Sequence, residues 1–420
     1  MASQMLSNPV LGLIGAAALA ASVSYLFLAQ PRITRSDGKP LKPAPNTLPL
    51  VGNGLFFLQA RQILLAWFVR CQRTAGLETL ALRVPSLPPG AVVHDPRIVD
   101  FIFRNEECFK KGEFVTERIF DLFGHGIINV DGPLWRAQRR AGTHFLSVRN
   151  LRVLTDVALP RYLDDAVRSL EARADGSTVV DLQAVMMELT AQLVGKMAYG
   201  MEMHADDDFT VAFDRASGYT AERFQNPLWK LTEVFTGAQY RTCLATVKSF
   251  GRRIVASAVA ASATEGEKGE GEEDAELDSV SGSLIKSLMA AINDETLVAD
   301  AALNYLSAGR DTVAQALTWT FYMLMRHAGA AEKLREELAA AAAAGGSAAA
   351  AETAEQQPLP SPASLPYAMA VFYETMRLYP PIPLEIKQAQ QAVTLPDGTH
   401  LPRLSVVLWC TWALNRSRET

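Results

Sequence analysis

Ala308-Gly309-Arg310-Asp311-Thr312 sets an acid beside an alcohol in the middle of an apolar segment. Across residues 301–325 nearly every side chain is apolar or small, and Arg310 and Asp311 are the only charges between Asp300 and Arg326. Buried ions are costly unless they are paired, hydrogen-bonded or put to use. Gly309 gives up helix propensity but lets a ligand come close to the backbone. The Thr312 hydroxyl can turn back onto a carbonyl of the preceding turn. The segment therefore predicts a long buried helix interrupted by a polar spot. Two explanations fit these five residues alone: a functional site, or an ordinary core helix whose acid finds a partner elsewhere in the fold.

The chain has 420 residues, 49% hydrophobic and 20% charged, with a net charge of -5. That describes a globular protein with ample core and no basic field for nucleic acid. Cys71, Cys108, Cys243 and Cys410 show no CxxC spacing, which points to a reducing compartment rather than a disulfide framework. The six histidines form no HExxH pair, so a histidine-held metal has little support.

Residues 10–29 are uncharged and about the length of a membrane-spanning helix. No Lys or Arg precedes this run, whereas Arg32, Arg35, Lys39 and Lys42 follow it, which places the remainder on the cytosolic side. A cleaved secretory peptide would carry positive charge ahead of a shorter apolar run. The expected organisation is a transmembrane signal-anchor over 1–30, a proline-rich hinge over 31–54 and one mainly α domain with small β-sheets over 55–420. Pro40, Pro43, Pro45 and Pro49 make the hinge a semi-rigid spacer.

TLALRV at 79–84 and AVVH at 91–94, around a PSLPPG turn, predict a strand pair. Most of the chain from there to residue 380 carries helical periodicity, with stretches at 151–174, 182–199, 209–224 and 238–261. Asp131-Gly132-Pro133-Leu134-Trp135-Arg136-Ala137-Gln138-Arg139 opens a helix on which Trp135 and Arg139 stand four apart. An indole N–H and a guanidinium on one face can converge on an anion, or simply be a core Trp beside a solvated Arg. The acidic stretch 264–279 and the alanine-rich insert 339–357 read as a solvated loop and a low-complexity extension.

On a later helix, LPYAMAVFYETMRLY, Glu374 and Arg377 sit three apart and can form a charge-assisted pair. The flanking Ala370, Val371, Phe372 and Tyr373 imply burial over most of that helix. YPPIP then ends it, and short strands follow at 386–389, 392–395 and 404–410.

An apolar helix with AGRDT, an ETMR pair followed by LYPPIP, and WRAQR on an early helix, in this order behind an anchor and a proline hinge, resemble the cytochromes P-450. The phrases GIINVDGPLWRAQRRAGTHFLS and ERFQNPLWKL resemble the branch that hydroxylates fatty acids and alkanes. The resemblance implies haem as cofactor, with Asp311 and Thr312 relaying protons to bound dioxygen and Ala308 and Gly309 lining its groove. Trp135, Arg139 and Lys387 would hold the haem propionates, and Glu374 with Arg377 would be structural. Val313 departs from the pattern, since a second hydroxyl often follows the Thr. The substrate pocket would be lined by residues 123–128, 224–229, 308 and its helix, and 382–386.

The resemblance further implies an NADPH-dependent monooxygenase of the endoplasmic reticulum membrane, fed by a separate NADPH-cytochrome reductase, acting on an apolar small molecule. A peroxide-rearranging relative would not need the Asp311 and Thr312 pair. The family ligates iron through a cysteine in a Phe-x-x-Gly-x-Arg-x-Cys-x-Gly loop, absent from these 420 residues. Cys410, in VVLWCTWALN, reads as a strand residue. The expectation is a C-terminally truncated member without a metal ligand, unable by itself to bind haem through thiolate; the alternative is a non-enzymatic remnant.

Overall fold

The computed structural model describes residues 31–49, 51–84, 87–226, 228–264, 280–346 and 362–418. The anchor expected at 10–29 and the acidic stretch 265–279 lie outside these residues, as does most of the alanine-rich insert. Among the described residues, no helix is long and apolar enough to cross a membrane. The chain divides into two compact units, one built from Met1–Arg118, Ala221–Thr232 and Pro383–Thr420, the other from Ile119–Thr220 and Glu233–Ile382.

The first unit is organised by a sheet of order β1-β2-β7-β4-β3, made of β1 (Leu80–Leu82), β2 (Gly90–Val92), β3 (Phe109–Lys110), β4 (Glu385–Ala389) and β7 (Val406–Trp409). A two-stranded ribbon joins β5 (Val393–Thr394) to β6 (His400–Leu401). The strand pair expected around PSLPPG forms, with Leu80 opposite Val92. Not legible beforehand was the parallel pairing of β2 with β7, with Ala91 opposite Val407. Alternation along these strands feeds two cores. Ala91, Val407 and Trp409 enter one cluster, whereas Val92, Leu408 and Cys410 enter another with Trp67, Phe68 and Cys71 of helix α1 (Arg61–Ala75). Helix α2 (Pro96–Arg104) is capped by Asp95, whose Oδ1 accepts from the Arg97 amide at 2.9 Å.

The residues expected as a semi-rigid spacer pack against the first unit. Ile33, Leu41 and Ala44 are buried, and the Pro45 carbonyl accepts the Trp67 indole N–H at 3.0 Å. Ala44 and Ala81 are also tied, because the Ala81 amide donates to the Lys42 carbonyl at 2.8 Å and its carbonyl accepts from Ala44. Proline removes its own donor but leaves its carbonyl, which the indole uses, while the sheet edge bonds the Lys42 carbonyl and the Ala44 amide between the prolines. Helix α3 (Gly112–Phe123) follows β3.

The second unit packs helices α4 (Gly132–Phe145), α5 (Leu182–Val194), α6 (Asp208–Glu222) and α7 (Ala238–Thr264) around α8 (Glu295–Arg326), which has 32 residues. Asp294 caps α8 by accepting from the Thr296 amide at 2.8 Å and the Leu297 amide at 3.1 Å. Its first half is buried through Val298, Ala301, Ala302, Leu303 and Leu306. The expectation of a helix buried along its length holds there but only in part beyond it, where Ala314 and Ala316 are buried while Val313 is 47% and Met325 71% exposed. Helices α9 (Ala328–Gly346) and α10 (Pro366–Leu378) also belong to this unit. Leu365 gives α10 no side-chain cap, and Glu337 of α9 substitutes for one by accepting from the Tyr367 and Ala368 amides, each at 2.8 Å.

Candidate functional site

The polar spot of α8 resolves into a bracketed cation. Arg310 is 1% exposed; its Nη2 donates to Asp214 Oδ1 on α6 at 2.6 Å and its Nε donates to Asp311 Oδ1 at 2.6 Å. Its Nη1 has no hydrogen-bond partner among the described residues. The acid thus has a partner, as the core-helix reading expected, and the buried ion is compensated. Asp311 Oδ2 also accepts from Ser307 Oγ at 3.4 Å, one turn back. Burial raises the Asp311 pKa above the ordinary carboxyl value, and the Arg310 charge opposes that rise. Burial alone would lower the Arg310 pKa, but the two carboxylates outweigh it and the net direction is upward.

Thr312 Oγ1 donates to the Ala308 carbonyl at 2.7 Å, the back-bond its position predicts. The hydroxyl oxygen keeps its acceptor lone pairs. Gly309 has a packing explanation: a Cβ there would come within 3.1 Å of Val194 Cγ2 on α5. On that side, what the glycine admits is a neighbouring helix. Ala308 is exposed.

Asp300, Asn304, Ala308 and Thr312 follow one another at steps of four, so they lie along one slowly turning stripe of α8. The first half of that stripe grips residues 123–128, part of the expected pocket lining. Asp300 Oδ2 accepts from the His125 amide at 2.8 Å, and Oδ1 accepts from Lys248 Nζ of α7 at 2.7 Å. Asn304 Nδ2 donates to the Phe123 carbonyl at 2.8 Å, and its Oδ1 accepts from the Ile128 amide at 3.0 Å. The fit requires glycine: a Cβ on Gly124 would lie 2.0 Å from Asp300 Oδ2, and one on Gly126 would lie 1.9 Å from Asn304 Nδ2. Sequence reasoning missed Asp300 and Asn304. The available signal was a second polar pair upstream in the same apolar helix, matched by two glycines in GHGIIN.

Trp135 and Arg139 sit on α4 as their spacing predicts, half-buried and exposed respectively. Arg139 is near enough to α8 that its charge opposes the upward, burial-driven shift of the Tyr305 phenol. Tyr305 in turn donates to the Gln138 carbonyl at 2.8 Å, joining the two helices. Glu374 and Arg377 form a bidentate pair, with Nε to Oε2 and Nη2 to Oε1 both at 2.6 Å. The expectation that α10 is buried over most of its circumference fails, since Thr375 is its only buried residue among those described and Tyr373 is 65% exposed. Its apolar residues instead meet neighbours on one side, where Tyr379 just beyond the helix stacks on Trp319 of α8 at 4.1 Å. Lys387 lies on β4 in the first unit, opposite Val407, two residues from Glu385.

Haem is the group implied by the sequence resemblance, and the side chains answer it unequally. The Trp135 indole and Arg139 guanidinium make no hydrogen bond or ion pair among the described residues, so donors and charge remain for anionic propionates. The buried cysteines do not suit an iron thiolate. Burial pushes the Cys410 thiol up to about 12, and burial with the Cys410 charge does the same for Cys71.

A sequence-family model described as Cytochrome P450 matches residues 42–420. Cytochrome P450 94A2 of Vicia sativa is 28% identical over 420 residues, covering 94% of this chain and 77% of the relative. Cytochrome P450 94B3 of Arabidopsis thaliana is 28% identical over 409 residues, covering 95% and 77%. Cytochrome P450 monooxygenase cyp1 of Mycosarcoma maydis is 27% identical over 414 residues, covering 91% and 60%. With the family match running through every motif from Trp135 to Arg377, this chain belongs to the cytochromes P450, which are haem-dependent monooxygenases.

Proposed function

We propose that this protein hydroxylates an apolar, chain-like substrate, a fatty acid or alkane, using dioxygen and electrons that a separate reductase takes from NADPH. It would act at the endoplasmic reticulum membrane, held by residues 1–30 with its bulk on the cytosolic side. The observation that carries the reading is the Asp311 and Thr312 pair: a carboxyl of raised proton affinity held by Arg310, one residue from a hydroxyl on an otherwise apolar helix. Bound haem supplies the redox-active iron at which dioxygen is reduced. Trp135, Arg139 and Lys387 would hold its propionates by charge and N–H donation. Asp311 would take a proton at a carboxylate oxygen and hand it on, and the Thr312 Oγ1 lone pairs would receive it. Ala308 and Gly309 would leave room beside that hydroxyl. Residues 123–128, gripped by Asp300 and Asn304, would exclude water and orient the chain. Glu374 and Arg377 would hold α10 in place.

Thr312→Ala tests the relay in an enzyme that carries these residues together with the family's cysteine loop. Product formed per NADPH consumed should fall by roughly a hundredfold, the scale of a lost general acid–base group, while NADPH oxidation continues. Unchanged coupling would refute the relay.

A further inference from the structure

Arg118, on the first-unit portion of α3, is a buried cation with no part in the haem site. It is 8% exposed, yet no carboxylate pairs with it among the described residues. Its Nη1 donates to the Phe114 carbonyl one turn back at 2.8 Å, and its Nε is buried without a hydrogen-bond partner among the described residues. The guanidinium carbon lies 3.9 Å from the Phe114 ring centroid and 6.0 Å from that of Phe224. The adjacent acid, Glu117, pairs with Lys230 instead.

Burying a guanidinium removes its hydration, and an arginine cannot escape that by releasing its proton. Burial accordingly lowers the Arg118 pKa, with only the nearby Glu117 charge opposing it. Two aromatic faces and one carbonyl return part of the lost hydration. Arg223 brings a second guanidinium to the same backbone, since its Nη1 donates to the Arg118 carbonyl at 2.9 Å. An anion is the missing component. A guanidinium edge with an unused N–H matches a planar carboxylate, and the phenylalanine rings beside it match hydrocarbon.

We propose that Arg118 is the specificity-determining residue that binds the carboxylate of an amphiphilic acid, with Phe114 and Phe224 against the first part of its chain. This rests on the proposed chain-like substrate and adds that the protein selects the free acid over a neutral analogue of equal length.

The test is equilibrium binding of dodecanoate and dodecanol to the full chain, its Arg118→Gln variant and its Arg118→Lys variant. The parent protein should bind dodecanoate about tenfold or more tightly than dodecanol, as a charge-assisted contact warrants. Arg118→Gln should abolish that preference while leaving dodecanol affinity unchanged, and Arg118→Lys should restore part of it. The melting temperature of ligand-free Arg118→Gln should not fall, because the change removes an uncompensated buried charge. Equal binding of acid and alcohol by the parent protein, or a preference that survives Arg118→Gln, overturns the assignment and leaves the chain-like substrate standing. Binding of neither compound removes both.

Discussion

Replacing Arg310 by Leu should lower the unfolding free energy by roughly 3–5 kcal/mol, the range for removing one partner of a buried ion cluster. The side chain is 1% exposed, and its loss leaves Asp311 and Asp214 facing each other without a cation between them. Most of the loss should come from those orphaned carboxylates rather than from lost packing, because Leu fills much of the space. Adding Asp214→Asn and Asp311→Asn to Arg310→Leu should therefore recover a large part of the stability. A triple variant as unstable as Arg310→Leu alone would mean that the guanidinium acts mainly through shape. Chemical denaturation of the set decides it.

The second large effect is expected at Asn304. Its side chain is fully buried and bonds the Phe123 carbonyl, the Ile128 amide and the Asp300 carbonyl, the last at 2.7 Å. Asn304→Leu leaves the loop's amide and carbonyl without partners, and each such buried group costs about 1–3 kcal/mol. A total loss of about 2–5 kcal/mol is expected. Hydrogen exchange should speed up locally at the Ile128 amide before the rest of the second unit responds. Asn304→Asp keeps the acceptor for Ile128 but sets a negative charge against two carbonyl oxygens, so it should not rescue. Slow exchange at Ile128 in Asn304→Leu would show that the loop holds itself without α8.

How much of this could be read beforehand depended on whether the partner was local in sequence. Thr312 bonds Ala308, and Glu374 bonds Arg377, within one turn, so spacing alone located both contacts. The same rule placed Trp135 and Arg139 on one helix, α4. Asp214 lies 96 residues from Arg310, and His125 lies 175 residues from Asp300, so no periodicity could supply those pairings. The closeness of Val194 to Gly309 was hidden for the same reason, since Val194 belongs to another helix. The burial of α10 was overestimated because an apolar composition does not say how many sides have neighbours, and Tyr373 is 65% exposed. The strands around PSLPPG were legible from alternation, but the parallel union of β2 with β7 brings together Val92 and Leu408, which only the folded chain juxtaposes. The hinge was read from its prolines, whereas its carbonyls decide where it lies.

Asp311 and Thr312 lie on α8 and Trp135 and Arg139 on α4, and the three buried cysteines do not suit an iron thiolate. Cys410 and Cys71 are protonated by burial, and Cys243 is buried in the core cluster around α8. The most direct measurement is the absorbance spectrum of the 420-residue protein after addition of haem, reduction and exposure to carbon monoxide. The expected result is no thiolate-type Soret band, in the parent protein and in Cys410→Ser alike. A thiolate-type band that disappears in Cys410→Ser would contradict it, because a thiol held at about 12 would then be the ligand.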